Sequence, residues 1–159
     1  AVTMNGPDEG ENGMGLQLPS HNNKRILLVE DDRRIINFMQ RGLEAEGITL
    51  DVVSAKTPAL HLTESRRYNT IILDIYLGDE DGLDICRTLR QRSIDTPVLV
   101  MTAKDSMELR EASVTAGANA YLPKPFSFDD LLSILEKMRQ AYLTIDITVP
   151  TGFPAQVRA

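Results

Sequence analysis

The sequence is poor in residues that form cross-links, bind soft metals or anchor a chain in a membrane. It has one cysteine, Cys86, which excludes an intramolecular disulfide and fits a reducing compartment. Its two histidines, His21 and His61, are isolated, so zinc-binding spacing is absent. No apolar run approaches the ~20 residues of a membrane-spanning helix, and the N-terminus lacks the basic-then-apolar pattern of a signal peptide. These absences predict a cytoplasmic protein that binds no membrane.

The sequence also has fewer basic residues than acidic ones, 17 against 23. The formal net charge is −6, and Asp8, Glu9 and Glu11 supply half of it within residues 1–23, which contain no Lys or Arg. Surfaces that bind nucleic acid are normally basic, so we expect no nucleic-acid site in this chain. The length of 159 residues and the hydrophobic content of 42% favour one globular domain.

The chain divides into three parts by composition. Residues 1–23 hold four of the ten glycines and show no periodicity, which is typical of a flexible leader or linker. Residues 24–142 alternate strand and helix patterns. Residues 143–149 alternate apolar and polar side chains, which predicts a strand or a linker in the tail of 143–159 rather than a continuing helix. A disordered tail is the alternative.

Five short apolar runs without alternation predict strands that are buried on both faces. They are residues 24–30, 48–53, 70–74, 98–101 and 119–122. Helical spacing separates and follows them, at residues 33–46, 57–67, 83–91, 105–116 and 127–142. Thr57 is the expected N-cap of the second helix, with Pro58 at its first position. Five such units predict an α/β fold with a flavodoxin-like, doubly wound, five-stranded parallel sheet of order 2-1-3-4-5 and five helices.

Reactive side chains stand where these strands end. Because the carboxyl ends of parallel strands share one edge of a sheet, they are expected to converge there. The first and third strands are neighbours in the predicted order, which places their acids side by side. The residues are Glu30, Asp31 and Asp32 after the first strand, Asp74 at the end of the third, Thr102 after the fourth and Lys124 after the fifth. Asp32 is interpreted as a helix cap rather than a ligand.

This set predicts chemistry on a phosphoryl group. Two carboxylates 4 Å apart repel by roughly 4 kcal/mol at an effective dielectric of ~20, so the cluster needs a cation. Ligands that are all oxygen fit Mg²⁺. Asp74 could act as a nucleophile and form an aspartyl phosphate. Lys124 and the metal would stabilise charge on the transferred oxygens, and the Thr102 hydroxyl could donate a hydrogen bond to the phosphoryl group.

The ordered motifs resemble the receiver domain of bacterial two-component response regulators. The resemblance covers residues 24–140, and its specificity lies in the order of the motifs rather than in any single one. The matching segments are Ile26-Leu27-Leu28-Val29-Glu30-Asp31-Asp32, Ile72-Leu73-Asp74, Asp81-Gly82, Val100-Met101-Thr102-Ala103 and Gly117-Ala118-Asn119-Ala120-Tyr121-Leu122-Pro123-Lys124-Pro125-Phe126.

The resemblance implies a signalling switch that accepts a phosphoryl group on Asp74 from a histidine kinase or a phosphotransfer protein. It implies that Glu30, Asp31 and Asp74 hold Mg²⁺, with the backbone carbonyl of Tyr76 as a further ligand. Thr102 and Tyr121 resemble the switch pair of the family, and Lys124-Pro125 resembles its Lys–cis-Pro step. The implied protein is not an enzyme beyond its own phosphorylation and dephosphorylation, and it controls an unidentified output domain or partner.

The sequence departs from the family pattern in two places. Gly78 stands where a proline is common in the loop after Asp74. Asn119-Ala120 replaces an acidic pair frequent in winged-helix regulators, so the resemblance does not imply their dimerisation through the last helices, and a homodimer stays open.

Three other functions compete. An aspartyl-phosphate hydrolase would need a second Asp two residues after Asp74, where Tyr76 stands. A nucleotide-binding module would need a glycine-rich turn after the first strand, where the chain instead has acids. A docking module that is not phosphorylated would not require the full set Glu30, Asp31, Asp74, Thr102 and Lys124.

Overall fold

The computed structural model describes residues 24–144, with side chains as far as Ala141. The predicted leader, and the predicted tail from Ile145 onward, lie outside the described residues. Within this range strands and helices alternate, and none of the helices has the length and apolarity to cross a membrane. The elements are β1 Arg25–Val29, α1 Arg33–Ala45, β2 Thr49–Val53, α2 Lys56–Ser65, β3 Thr70–Asp74, β4 Tyr76–Leu77, β5 Glu80–Asp81, α3 Gly82–Gln91, β6 Val98–Thr102, α4 Met107–Ala116, β7 Ala120–Pro123 and α5 Phe128–Thr144.

The five long strands form one parallel sheet in the order β2-β1-β3-β6-β7. Counted along the chain, this is the predicted order 2-1-3-4-5, and the flavodoxin-like fold with five helices is confirmed for residues 24–144. The central strand β3 ends at Asp74, and the neighbouring strands β1 and β6 end at Val29 and Thr102. The carboxyl edge of the sheet therefore gathers the predicted reactive residues.

Two hydrophobic cores lie on opposite faces of the sheet. Alternate residues of each central strand enter alternate cores: in β1, Leu27 and Val29 enter one core, and Ile26 and Leu28 the other. The first core is covered by α2, α3 and α4, and the second by α1 and α5. The unbroken apolar runs follow from this burial, since both faces of each central strand are covered.

The structure differs from the predicted boundaries in two instructive places. Helix α2 begins at Lys56 with Ala55 as N-cap, so the predicted cap at Thr57 is wrong. The earlier start is supported by a residue far away in the sequence, because the Lys56 N–H donates to Glu80 Oε1 at 2.8 Å. Helix α5 continues through Thr144, so the predicted change to a strand at residue 143 is wrong there. Adding a residue to an existing helix costs little, and the alternating pattern does not end it.

The amino edge of the sheet is fixed by one guanidinium. Arg90 on α3 donates to the carbonyls of Ile94 and Thr96, at 2.7 and 2.9 Å, and to the Gly117 carbonyl at 2.9 Å. It also donates to Asn119 Oδ1 at 2.9 Å. Asn119, one of the departures from the family pattern, is thus an acceptor that ties the loop before β7 to the loop before β6.

Asp51 on the edge strand β2 holds a second polar cluster. Its carboxylate accepts hydrogen bonds from Tyr68 Oη at 2.6 Å, Arg66 Nη1 at 2.9 Å and Arg25 Nη1 at 3.3 Å. Burial alone would raise the pKa of Asp51, but these three donors outweigh it and lower the pKa below its usual value. The ionised carboxylate therefore stabilises the native state.

Replacing Asp51→Asn should lower the free energy of unfolding at pH 7 by about 1–2 kcal/mol, since hydrogen bonds to a charged group are lost. Because the native pKa of Asp51 is depressed, its stabilisation is present above the unfolded pKa of about 3.9 and disappears as pH falls through the native value. Urea unfolding between pH 7 and pH 3 measures this. Asp95→Asn is the control, since the described residues give Asp95 no hydrogen bond or ion pair. A difference from wild type that persists unchanged at pH 3 would contradict the assignment.

Candidate functional site

The carboxyl edge places one ammonium between two buried acids. Lys124, which follows β7, has Nζ 3.2 Å from Glu30 Oε1 and 3.1 Å from Asp74 Oδ2. Glu30 is fully buried and Asp74 is 5% exposed. The Lys124–Pro125 peptide bond is cis, as the resemblance implied. Lys124 thus meets two acids that precede it in the sequence by 94 and 50 positions, Glu30 and Asp74.

The pKa values of Glu30 and Lys124 are both raised, chiefly by burial at Glu30 and, at Lys124, by neighbouring acids that outweigh burial. Burial raises the pKa of Glu30 to about 7, helped by the negative charge of Asp74 and opposed by the Asp32 N–H bonded to Glu30 Oε2. Burial alone would lower the pKa of Lys124, but the carboxylates of Asp74 and Glu30 outweigh it and raise the pKa. Lys124 is therefore held in its charged form by the acids that surround it.

Three carboxylates of this edge can reach one cation. Glu30, Asp31 and Asp74 each offer an oxygen, and these oxygens lie within 4.8 Å of one another. Asp31 is exposed, so the cluster is open to solvent on one side. Three acids face a single ammonium, and all the donors are oxygens, which fits Mg²⁺. Asp32 stands apart as predicted, since its side chain caps α1 by accepting the Arg34 N–H at 2.9 Å.

The loop after Asp74 is held close to Asp74 by its backbone N–H groups. The Tyr76 N–H donates to Asp74 Oδ1 at 3.2 Å, while the Tyr76 side chain is 48% exposed. The Gly82 N–H donates to the Ile75 carbonyl at 2.7 Å. A Cβ on Gly82 would lie 2.0 Å from the Asp74 carbonyl oxygen. The motif Asp81-Gly82 gave Gly82 no role; the structure shows that it lets α3 begin against the backbone of Asp74.

The predicted switch residues lie on adjacent strands and are both buried. Thr102 Oγ1 accepts the Lys104 N–H at 3.0 Å and lies 3.2 Å from the Lys104 carbonyl. Tyr121, 4% exposed, donates its hydroxyl to Asp105 Oδ1 at 3.0 Å. The side chains of both residues therefore bind the loop between β6 and α4.

Asp105 is a partner that sequence analysis missed. Besides accepting from Tyr121, it accepts from Arg110 Nε at 3.1 Å, and the Arg110 guanidinium lies 4.7 Å from the centre of the Tyr121 ring. Such a cation over a ring is attracted by its electron-rich face. The sequence placed Asp105 only at a helix start, and no motif spacing links it to Tyr121 on another element.

Comparison with known proteins decides the family. Residues 26–136 match the family described as response regulator receiver domain. The chain belongs to this family. The receiver matches the response regulator MprA of Mycobacterium ulcerans with 41% identity over 109 residues, which are 69% of this chain and 47% of that protein. It therefore spans about half the length of the curated relatives it matches.

Solved receiver structures agree with the fold. The Francisella response regulator 1452 receiver domain matches with a TM-score of 0.70 and 31% identity, covering 76% of this chain and 99% of that one. The BeF3-activated N-terminal receiver domain of Klebsiella pneumoniae RstA gives 0.67 and 26%, covering 72% and 97%. A response regulator protein from Burkholderia pseudomallei, with a phosphorylated aspartic acid, calcium ion and citrate, gives 0.67 and 28%, covering 78% and 75%.

Gly82→Ala should destabilise the receiver by about 2–3 kcal/mol, because a methyl group has no room beside the Asp74 carbonyl and the backbone must shift. Gly78→Ala is the comparison: Gly78 has φ +56°, and a Cβ there would make only an ordinary contact with Asp31 Oδ2 at 4.0 Å, so conformational strain of about 1 kcal/mol is expected. Urea unfolding of both variants measures the difference. Equal losses would show that the close approach at Gly82 is not the constraint.

Asp31→Asn should stabilise the metal-free receiver, because it removes negative charge from the cluster of Glu30, Asp31 and Asp74 at nearly constant shape. We expect the melting temperature in EDTA to rise by about 2–4 °C and the further gain on adding Mg²⁺ to shrink. Asp79→Asn, an exposed acid in the nearby loop, controls for net charge. A lower melting temperature of Asp31→Asn in EDTA would show that the acids are not in repulsion.

Proposed function

We propose that this receiver takes a phosphoryl group on Asp74 from a phosphohistidine of a histidine kinase or a phosphotransfer protein, in the cytoplasm. The observation that carries the proposal is the position of Lys124 Nζ, within 3.2 Å of both buried Glu30 and Asp74, beside the solvent-open Asp31. The proposal gives this segment a protein partner and no site for nucleic acid or membrane.

The proposed reaction moves a phosphoryl group from a phosphohistidine donor to the Asp74 carboxylate. An oxygen of the Asp74 carboxylate forms a bond to phosphorus as the phosphorus–nitrogen bond of phosphohistidine breaks. The imidazole nitrogen keeps the electron pair and takes one proton from solvent, so neutral histidine leaves. Lys124, 3.1 Å from Asp74 Oδ2, places a positive charge beside the transferred oxygens. The step is self-phosphorylation rather than turnover of an external substrate.

A cation bound by the acidic cluster would supply the second positive charge. Glu30, Asp31 and Asp74 would hold Mg²⁺, with the Tyr76 carbonyl as a further ligand. When bound, the ion neutralises charge on the phosphoryl oxygens, as in other phosphoryl transfers. The similar Burkholderia pseudomallei protein carries a phosphorylated aspartic acid together with a calcium ion, which supports this pairing of acceptor and divalent cation.

The proposed switch acts on the loop between β6 and α4. The Thr102 hydroxyl, now bonded to the Lys104 backbone, would turn to the phosphoryl oxygens, and this would release one end of the loop. Tyr121, held by Asp105 in the same loop, would adjust to its new position. The phosphoryl group can shift this equilibrium only by its difference in affinity for the two arrangements.

Asp74→Asn should abolish phosphorylation, because an amide cannot provide the attacking carboxylate oxygen. Incubation with phosphoramidate and Mg²⁺ should add one phosphoryl mass to wild type, and EDTA should suppress it. Intact-mass spectrometry measures the label.

Two further variants sharpen this test. Lys124→Ala should retain the acceptor but label more slowly, by roughly tenfold to a hundredfold. Asp79→Asn should label as wild type does, since it removes an equal charge outside the cluster. Undiminished labelling of Asp74→Asn would place the acceptor elsewhere, and absence of any label on wild type would favour a docking module that is not phosphorylated.

A further inference from the structure

Helix α2 takes its N-terminal cap from the loop that follows the phosphoacceptor. Ala55 at the N-cap position has no side-chain hydrogen bond to offer. The Lys56 N–H instead donates to Glu80 Oε1 at 2.8 Å, across 24 residues of sequence. The first N–H groups of a helix lack partners within the helix, and an anion there is further favoured by the helix dipole. Glu80, from another βα unit, provides both an acceptor for the Lys56 N–H and a negative charge at the start of α2.

A second contact ties the same lysine to the start of α3. Lys56 Nζ lies 2.5 Å from Asp84 Oδ2, in the first turn of α3. Lys56 is thus bound at its amide by Glu80 and at its ammonium by Asp84. The two acids flank the junction between the acceptor loop and α3, so this junction cannot move away from α2 without breaking one contact or both.

The loop that carries Glu80 is also bound to the acceptor. Strands β4 and β5 form a small antiparallel hairpin in which Leu77 pairs with Glu80, and Leu77 is 3% exposed. Tyr76, beside Leu77, donates its N–H to Asp74 Oδ1. A short series of contacts therefore runs from the Asp74 carboxylate through Tyr76 and the hairpin to the first amide of α2.

We propose that Glu80 is a positioning residue that holds the acceptor loop against α2 and couples the state of Asp74 to the first turn of that helix. This inference rests on the proposed function. Phosphorylation of Asp74 converts the carboxylate that Tyr76 contacts into an acyl phosphate, which displaces the hairpin and the cap with it. Coupling between two sites is reciprocal, so a change at the start of α2 also alters how readily Asp74 binds a phosphoryl group.

The neighbouring Asp79 provides a matched control. It is an exposed acid in the same loop, and the described residues give it no hydrogen bond or ion pair. Asp79→Ala removes the same charge as Glu80→Ala without touching the cap. Glu80→Gln keeps an oxygen that can accept from Lys56 and removes only the charge, so it separates the hydrogen bond from the general electrostatics of the loop.

The first measurement is hydrogen exchange of the Lys56 amide by NMR in the full chain. Glu80→Ala should accelerate exchange about threefold to fivefold, the factor expected for loss of an N-cap of ordinary strength. Glu80→Gln should restore most of the protection, and Asp79→Ala should leave it unchanged. Equal exchange in Glu80→Ala and Asp79→Ala would overturn the cap.

The second measurement asks whether the cap responds to the acceptor. Mg²⁺ with beryllofluoride, a mimic of the phosphoryl group, should shift the Lys56 amide signal in wild type and Asp79→Ala, but not in Glu80→Ala, while Thr102 and Lys124 respond in all three. A response at Thr102 and Lys124 without one at Lys56 in wild type would overturn the coupling alone. No response anywhere in wild type would overturn the proposed function, and the coupling with it.

Discussion

The contact on which the site depends is the one between the Lys124 ammonium and two buried carboxylates. Lys124 follows β7, whereas Glu30 and Asp74 end β1 and β3, so the side chain must reach past β6, which lies between β7 and β3 in the sheet. Only the order of the sheet brings these three segments together. The ammonium offsets only part of the charge of the three acids, and the remaining negative charge on oxygen ligands is what a divalent cation would require.

Much of this edge could be predicted from sequence, because one topological rule sends the carboxyl ends of parallel strands to the same place. That rule, with unbroken apolar runs for the strands, was enough to bring Glu30, Asp31, Asp74 and Lys124 together before any coordinates. What escaped prediction depends on contacts between distant elements. Glu80 caps α2 by accepting the Lys56 N–H, whereas the local sequence signals pointed to Thr57 as the cap. Two-residue strands such as β4 and β5 are too short to give a periodic pattern.

The two predicted switch residues share a binding partner that is not visible in the sequence, the loop between β6 and α4. Thr102 binds the backbone of Lys104, and Tyr121 binds the side chain of Asp105, so both hold the same few residues between β6 and α4. Arg110 adds a third tie by binding Asp105 and covering the Tyr121 ring. A change in either switch residue therefore acts on a loop that the other also restrains, and this shared restraint joins two side chains on different strands.

The amino edge of the sheet carries two polar clusters, one around the Asp51 carboxylate and one around Arg90. Within residues 24–144, Arg90 binds only neutral oxygens, three carbonyls and the side-chain amide oxygen of Asn119. Its contacts carry no carboxylate whose protonation or phosphorylation could loosen them. Between the two edges, every central strand is packed on both faces, so no strand can tilt without disturbing two cores at once. A change of charge at Asp74 would therefore act first on the loops of the carboxyl edge, with the doubly packed sheet as a fixed frame behind them.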